Sequence, residues 1–215
     1  HAGLVPIYLD EQFRGTNLWK AKSIMTIHNL RFQGIYGQDT IKYWSGLPDK
    51  VFTPDYLQEK WVDANMLKGG LAYANMISTV SETYAQEILT PFFGEHLDDH
   101  LRYHAGKLTG IVNGIDTVQW DPATDPYLVN HYDLSNVLSE KRVNKKALQE
   151  EVGLEVDDNK FVIGLISRLT DQKGLDLINA IMPQIVDDHT QVVVLGTGDK
   201  VYEDSFKAFE EANPG

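Results

Sequence analysis

The chain has 215 residues, 42% of them hydrophobic and 10% aromatic, which is enough to bury one large core or two smaller ones. Its formal charge of −12, from 31 acidic and 19 basic residues, argues against sequence-independent binding of nucleic acid, which needs a basic surface. The chain has no cysteine, so disulfides, thiolate metal sites and a cysteine nucleophile are excluded.

No apolar run approaches the length of a membrane span and no signal peptide opens the chain. We therefore expect a cytoplasmic protein without a membrane partner. The sequence starts abruptly at His1 and stops at Gly215, and on this ground we expect it to be an internal fragment.

The first 34 residues combine a helical pattern with a strand and a polar loop. Residues 1–9 predict the start of a helix, and on its own His1 is typical of a tag remnant or a surface residue. Residues 22–27 predict a strand that opens into a glycine-closed loop. Three polar side chains of this loop are candidates for hydrogen bonding to backbone or, equally, to a ligand: His28, Asn29 and Gln33.

Residues 36–60 are interrupted by glycines and prolines, which predicts short helices and loops. The aromatic side chains of this region are more typical of a core than of sugar stacking: Tyr43, Trp44, Phe52 and Tyr56. Residues 61–75 predict one helix, in which Asn65 is either an internally bonded polar residue or a functional one. A buried strand is predicted at 76–80, and Ser81 is a plausible N-cap of the next helix.

Three histidines recur at a spacing of four: His96, His100 and His104. On one helix their imidazoles would share a face and could reach a single metal ion. A solvated helical face is the favoured interpretation, and a zinc site is the alternative.

The middle of the chain predicts a change of domain. Residues 107–122 predict a strand, an Asn-Gly turn and a proline-terminated loop, and residues 121–126 have the composition of a linker. A helix is predicted over 140–152, with Gly153 in the C′ position.

Residues 161–176 contain the pattern most indicative of a binding site. The apolar run 161–166 predicts a fully buried strand, a polar turn follows, and helical spacing of apolar residues begins at Leu175. A loop between a parallel strand and a helix lies where open α/β sheets bind ligands. Arg168 and Lys173 lie in this loop beside a helix N-terminus and could together bind a diphosphate. On spacing alone, solvated loop charges are the alternative.

The next segment has a similar pattern. Residues 191–195 predict another buried parallel strand, followed by a glycine-containing turn at 196–199 and a helix from Tyr202. Gly198 would let the backbone approach a ligand, although a tight turn is equally expected. Strand–loop–helix units in both halves predict an α/β class with parallel sheets.

Four segments resemble the bacterial glycogen synthases and plant starch synthases: His1-Ala-Gly-Leu, Ile27-His-Asn-Leu-Arg-Phe-Gln-Gly34, the run from Asn65 to Ala85, and Ser167-Arg-Leu-Thr-Asp-Gln-Lys-Gly-Leu-Asp176. The resemblance implies a GT-B fold, with parts of two Rossmann-like domains whose parallel sheets face each other across a cleft. Residues 1–118 would be the C-terminal half of the N-terminal, acceptor-side domain. Residues 119–215 would be the interdomain linker and the first half of the C-terminal, nucleotide-sugar-binding domain.

The activity that the resemblance implies is transfer of glucose from ADP-glucose to the non-reducing 4-hydroxyl of an α-1,4-glucan, with retention of configuration, in glycogen biosynthesis. No metal and no other cofactor is implied. Arg168 and Lys173 match the residues that hold the diphosphate, and Asn65 and Gly198 match donor-binding positions. His1 matches the active-site histidine, although the Asp-Trp that precedes it in the family is absent. The segment beside the catalytic cleft would contain His28, Asn29 and Gln33.

Two other functions remain open. One is a related two-domain glycosyltransferase that uses UDP-glucose or another sugar nucleotide, and the other is a non-catalytic glucan- or nucleotide-binding module. A Rossmann dehydrogenase is disfavoured, because no Gly-x-Gly-x-x-Gly follows a first strand. Because incomplete sheets leave unpaired edges and open cores, we expect the 215-residue chain alone to be inactive and of low stability. The oligomeric state is not predicted.

Overall fold

A computed structural model describes residues 2–215. The chain divides into two compact units, the first ending at Gly114 and the second beginning at Ile115. The domain boundary predicted from the sequence, between residues 118 and 119, lies in the same exposed stretch. The assignment of the units to an acceptor-side and a nucleotide-sugar-binding domain stays a prediction.

The first unit mixes short helices and strands. Its α-helices are α1 (Val5–Glu11), α2 (Gln38–Ser45), α3 (Met66–Tyr73), α4 (Glu82–Glu87) and α5 (Asp98–Tyr103). Its strands are β1 (Ile24–Ile27), β2 (Ile35–Gly37), β3 (Gln58–Glu59), β4 (Asp63–Asn65), β5 (Met76–Thr79) and β6 (Leu108–Gly110).

The main sheet of this unit is parallel, in the order β1-β5-β6. Ile24 pairs with Met76, and Ile77 pairs with Leu108. Apolar residues at alternate strand positions point to one face and meet helical side chains there. The resulting core cluster consists of Ile27, Leu30, Leu67, Leu71, Ile77, Ile88, Leu97 and Leu101.

A second, antiparallel sheet has the order β2-β4-β3 and lies beside a separate core cluster that includes Ile7, Val51 and Leu57. Helix α3 approaches the 3-10 turn at residues 2–4 closely. A side chain at Gly70 would place its Cβ 2.7 Å from the carbonyl oxygen of Gly3 and 2.8 Å from its Cα. Only glycine allows this contact.

The second unit contains the helices α6 (Val137–Glu151), α7 (Leu175–Ile185) and α8 (Lys200–Ala212) and the strands β7 (Phe161–Ile166) and β8 (Thr190–Leu195). The two strands pair in parallel, with Phe161 opposite Thr190. The core cluster combines strand, loop and helix side chains: Leu165, Leu169, Leu175, Ile178, Val194, Tyr202 and Phe206. This strand–loop–helix arrangement and the parallel sheets are those predicted from the sequence.

Three structural predictions were wrong in part. Residues 61–75 do not form one helix, because Asp63–Asn65 is extended as β4 and α3 begins only at Met66. Neither β7 nor β8 is the buried strand predicted, because the sheet has only two strands. Leu165 contacts the core, whereas Phe161 is 68% and Leu195 66% exposed. Of the aromatic residues predicted to be core, Phe52 is buried, whereas Tyr43 and Trp44 project from α2 into solvent and Tyr56 is 37% exposed.

Candidate active site

In the second unit, the loops that follow β7 and β8 are joined to each other. We call residues 167–174 the β7 loop and residues 196–199 the β8 loop. The amide of Leu169 donates to the Thr197 carbonyl at 2.9 Å, and the amide of Asp199 donates to the Leu169 carbonyl at 2.7 Å. Leu169 and Gly198 form a parallel bridge. The backbone pairing of the sheet therefore continues beyond the strands and fixes both loops at its carboxyl edge.

The glycines of the β8 loop are required by this pairing. A Cβ at Gly198 would overlap the carbonyl oxygen of Leu169 and lie 2.6 Å from its carbonyl carbon. A Cβ at Gly196 would overlap the carbonyl oxygen of Ser167. The close approach expected at Gly198 is thus an approach to the protein's own backbone, and contact with a ligand there stays a prediction.

The β7 loop presents both predicted cations to solvent. Arg168 follows the strand, and Lys173 ends a 3-10 turn whose next residue, Gly174, has a φ of 66° and caps α7. Both side chains are exposed, and neither forms an ion pair with any residue from 2 to 215. Two cations that form no ion pair within residues 2–215 thus lie beside the N-terminus of an eleven-residue helix, a position that attracts anions.

Carboxylates surround this end of the sheet. Burial raises the pKa of the Tyr202 hydroxyl, and the charges of Asp176, Asp171 and Asp199 raise it further. In addition, the amide of Gly198 donates to Oε1 of Glu203 at 2.8 Å. Glu203 was not identified from the sequence, where an acidic residue in the first turn of a helix signals only a favourable interaction with the helix dipole. Here its carboxylate accepts the hydrogen bond of an amide at the carboxyl edge of the sheet.

In the first unit, polar residues follow the carboxyl ends of the parallel strands. His28 follows β1 and is exposed, and the Oδ1 atom of Asn29 accepts from the amide of Arg31 at 3.0 Å. Ser81 follows β5, and the exposed Asn113 follows β6. Asn113 was not among the predicted site residues. The rule that ligands bind at the carboxyl edge of a parallel sheet is the signal that singles it out.

Asn65 and Gln33 are bonded within the protein. Asn65 is fully buried and is the N-cap of α3, because its Oδ1 accepts from the amide of Lys68 at 3.0 Å. Its Nδ2 donates to Oε1 of Gln33 at 2.6 Å, and Nε2 of Gln33 donates to the carbonyl of Glu95 at 2.8 Å. Gln33 is thereby connected to the buried Asn65. His1, the remaining predicted catalytic residue, lies outside the described residues.

The three histidines do not share a helical face. His96 precedes α5 with a φ of 66°, and His104 follows it. His100 is half-buried against α3, and its Nε2 lies 3.1 Å from the carbonyl of Lys68. Burial, followed by the charges of His104 and Lys68, lowers the pKa of His100 to about 4. The prediction of a solvated face is therefore wrong for His100, and residues 2–215 contain no cluster of three or more His, Cys, Asp or Glu side chains able to hold a metal ion.

None of the helices described in residues 2–215 has the length and apolarity that crossing a membrane requires. Residues 1–103 match the family of the starch synthase catalytic domain. A glycogen synthase of Lachnospira eligens is 52% identical over 209 residues, which are 97% of this chain and 44% of that protein. A glycogen synthase of Thermotoga maritima is 45% identical over 98% of this chain and 43% of its own length.

Among solved structures, the chain is similar to the catalytic domain of starch synthase IV from Arabidopsis thaliana bound to ADP and acarbose. The TM-score is 0.89 and the identity 33%, over 97% of this chain and 43% of that one. This likeness confirms the predicted α/β, GT-B type of fold. The chain thus spans between 43% and 44% of the length of these relatives. With the family match to residues 1–103, these similarities relate nearly the whole chain to one part of the glycogen and starch synthases.

Proposed function

We propose that the full-length protein transfers glucose from ADP-glucose to the non-reducing 4-hydroxyl of an α-1,4-glucan, with retention of configuration, in glycogen biosynthesis. The observation that carries the proposal is the pair of exposed cations, Arg168 and Lys173, on a loop fixed at the carboxyl edge of a parallel sheet, where they form no ion pair with residues 2–215. The relatives support it, because glycogen synthases match nearly the whole chain and the similar starch synthase structure contains ADP.

In this reaction the β7 loop stabilises the leaving group. As the bond between the glucosyl carbon and the diphosphate oxygen breaks, negative charge grows on the diphosphate, and a guanidinium and an ammonium group held in place stabilise that charge. The paired β7 and β8 loops keep Arg168 and the amide of Gly198 on one fixed scaffold. His1 would position the transferred sugar near the leaving diphosphate.

Other parts of the proposal follow from the same similarities and from composition. The reaction needs no metal or other cofactor, because the charge of the leaving group is met by side chains. The protein acts in the cytoplasm on a nucleotide sugar and a glucan. Nucleic acid is not a partner, in keeping with the net charge of −12.

The test is turnover by the full-length protein of ADP-glucose against UDP-glucose, with glycogen as acceptor. Arg168→Ala and Lys173→Ala are each expected to lower kcat by about 100- to 1000-fold, since each removes a charge that acts mainly in the transition state. Matched controls are Arg142→Ala and Lys141→Ala, two exposed cations of α6, which should leave kcat unchanged.

Each outcome decides between the functions that the sequence left open. Turnover of ADP-glucose that depends on Arg168 and Lys173 supports the proposal. Turnover of UDP-glucose but not of ADP-glucose would show that the donor is UDP-glucose. Binding of ADP without turnover of either sugar nucleotide would show a binding module and overturn the enzymatic function.

A further inference from the structure

The inference concerns Asn65, whose polar atoms are all engaged inside the protein. Its Oδ1 caps α3, and its Nδ2 donates to Gln33 and lies 3.5 Å from Oε2 of Glu59. With a side chain that is 0% exposed, it has no polar atom directed to solvent. A sugar or nucleotide could bond to this amide only if the helix cap or the bond to Gln33 were broken first.

The hydrogen bond from Asn65 fixes the orientation of the side-chain amide of Gln33. Because Asn65 donates, Gln33 must present its oxygen to Asn65 and its amide nitrogen to the opposite side. There, Nε2 of Gln33 donates to the carbonyl of Glu95 at 2.8 Å. Asn65, Gln33 and Glu95 therefore form a directional chain of hydrogen bonds, which we call the amide relay.

The far end of the relay is a strained segment. Glu95 and His96 have φ values of 47° and 66°, a left-handed conformation that is uncommon for residues other than glycine. Consecutive residues stay in this conformation only where the surroundings hold them. The bond from Gln33 is one of the contacts that hold Glu95 in place.

Gln33, the middle residue of the relay, belongs to the loop that follows β1, residues 28–34, which we call the β1 loop. The carbonyl of Gln33 accepts from the amide of Leu67 at 3.0 Å, and the carbonyl of Gly34 accepts from the amide of Met66 at 3.2 Å. On the other side, the amide of Leu30 donates to the Tyr84 hydroxyl at 3.4 Å. The inner side of the β1 loop is thus bonded to α3 and α4.

The outer side of the same loop faces solvent at the carboxyl edge of the sheet. His28, Arg31 and Phe32 are exposed there. A rigid inner side and an exposed outer side are what a substrate-positioning loop requires.

We infer that Asn65 serves glucosyl transfer as a positioning residue, which acts through Gln33 to fix the β1 loop, and that it does not touch the donor. The inference rests on the proposed function. The family resemblance suggests that Asn65 contacts the donor, and we infer an indirect role instead. In this role Gln33 connects Asn65 to the β1 loop.

The experiment uses two nearly isosteric substitutions in the full-length protein. Asn65→Asp keeps the oxygen that caps α3 and removes the amide donor to Gln33. Gln33→Glu keeps the oxygen that faces Asn65 and removes the donor to Glu95. Matched controls lie outside the relay: Gln58→Glu removes a bond to the Lys60 carbonyl, and Asn75→Asp changes an amide whose oxygen accepts from Ser23.

Each relay variant is expected to lower kcat about 10- to 100-fold, with the donor KM changed by less than about twofold, because the loop is displaced while the donor-binding cations are intact. The double variant combines Asn65→Asp with Gln33→Met, because Asn65→Asp and Gln33→Glu together would place two carboxylates against each other. It should be no slower than either single variant, since both substitutions interrupt the same chain of bonds. Amide hydrogen exchange in residues 28–34 should rise in both variants and in neither control.

Four results would overturn the inference. A tenfold increase in the donor KM of Asn65→Asp with kcat unchanged would show direct contact with the donor. An unchanged kcat in both variants would show that Asn65 has only the structural role of capping α3. Additive losses in the double variant would show that the two residues do not act as one relay. Absence of turnover by the wild-type protein would overturn the proposed function as well, whereas in the other three outcomes that function stands.

Discussion

Substitution of Gly198 by alanine tests whether the β7 and β8 loops depend on direct backbone contact. The added Cβ would overlap the Leu169 carbonyl oxygen and lie 2.6 Å from the carbonyl carbon and 2.8 Å from the amide nitrogen of Leu169. All three atoms belong to the backbone, so no side-chain rotation can relieve the overlap. The loops must move apart, which lengthens the hydrogen bond of 2.7 Å from Asp199 to Leu169.

We expect this strain to cost about 1–3 kcal/mol, the usual range for an added group in a packed site. The measurement is amide hydrogen exchange of β7 and β8 in the full-length protein, where that cost corresponds to a rate increase of about 5- to 150-fold. Gly164→Ala is the matched control, because its Cβ would lie 3.5 Å from Cδ1 of Ile166, an ordinary contact. Equal exchange in the two variants would refute the reasoning.

Two further predictions concern the first unit. The pKa of His100 is lowered in the folded state to about 4, mainly by burial, so stability is fully present above the ordinary value of 6.5 and is lost as the pH falls from 6.5 towards 4. Burial also lowers the pKa of His104, which adds to the loss of stability. His100→Gln should therefore flatten the pH dependence of thermal unfolding between pH 6.5 and 4 without abolishing it. An unchanged slope would contradict the assignment to His100. Ser81→Ala removes the cap whose Oγ accepts from the amide of Tyr84 at 3.1 Å, and should lower the free energy of unfolding by about 1 kcal/mol in urea titration.

Local sequence patterns predicted the elements that carry the candidate site. The apolar runs of β1, β5, β7 and β8 are long enough to be identified as strands, and the polar segments after them lie at the carboxyl edges of parallel sheets. The cap at Ser81 was also predicted, because a serine followed by an acidic residue is a local signal.

Features that depend on contacts between distant segments could not be predicted. Strand β3 consists of Gln58 and Glu59 alone and is too short and too polar to show a periodic pattern. The antiparallel sheet was therefore not predicted, and the helix that begins at Met66 was predicted to begin at residue 61. The burial of His100 results from its packing against the carbonyl of Lys68, which lies 32 residues away in the sequence. The role of Gly198 likewise depends on how close the β7 loop approaches.

The bond between Gly198 and Glu203 leads to a last prediction about nucleotide affinity. If the donor diphosphate bonds to the Gly198 amide, it must displace the Glu203 carboxylate, which accepts from that amide at 2.8 Å. Glu203→Gln keeps the length and an acceptor oxygen but replaces a charge-assisted bond by a neutral one, about half as strong, and removes a negative charge from the site.

We therefore expect Glu203→Gln to bind ADP about three- to tenfold more tightly in calorimetric titration of the full-length protein, a gain of about 1 kcal/mol. Glu210→Gln, an exposed residue of the same helix, is the control for the change in net charge and should leave the ADP affinity unchanged. Weaker binding by Glu203→Gln would mean that the carboxylate supports the site by holding the β8 loop. An affinity equal to that of the control would mean that the phosphates do not use the Gly198 amide and depend on Arg168 and Lys173 alone.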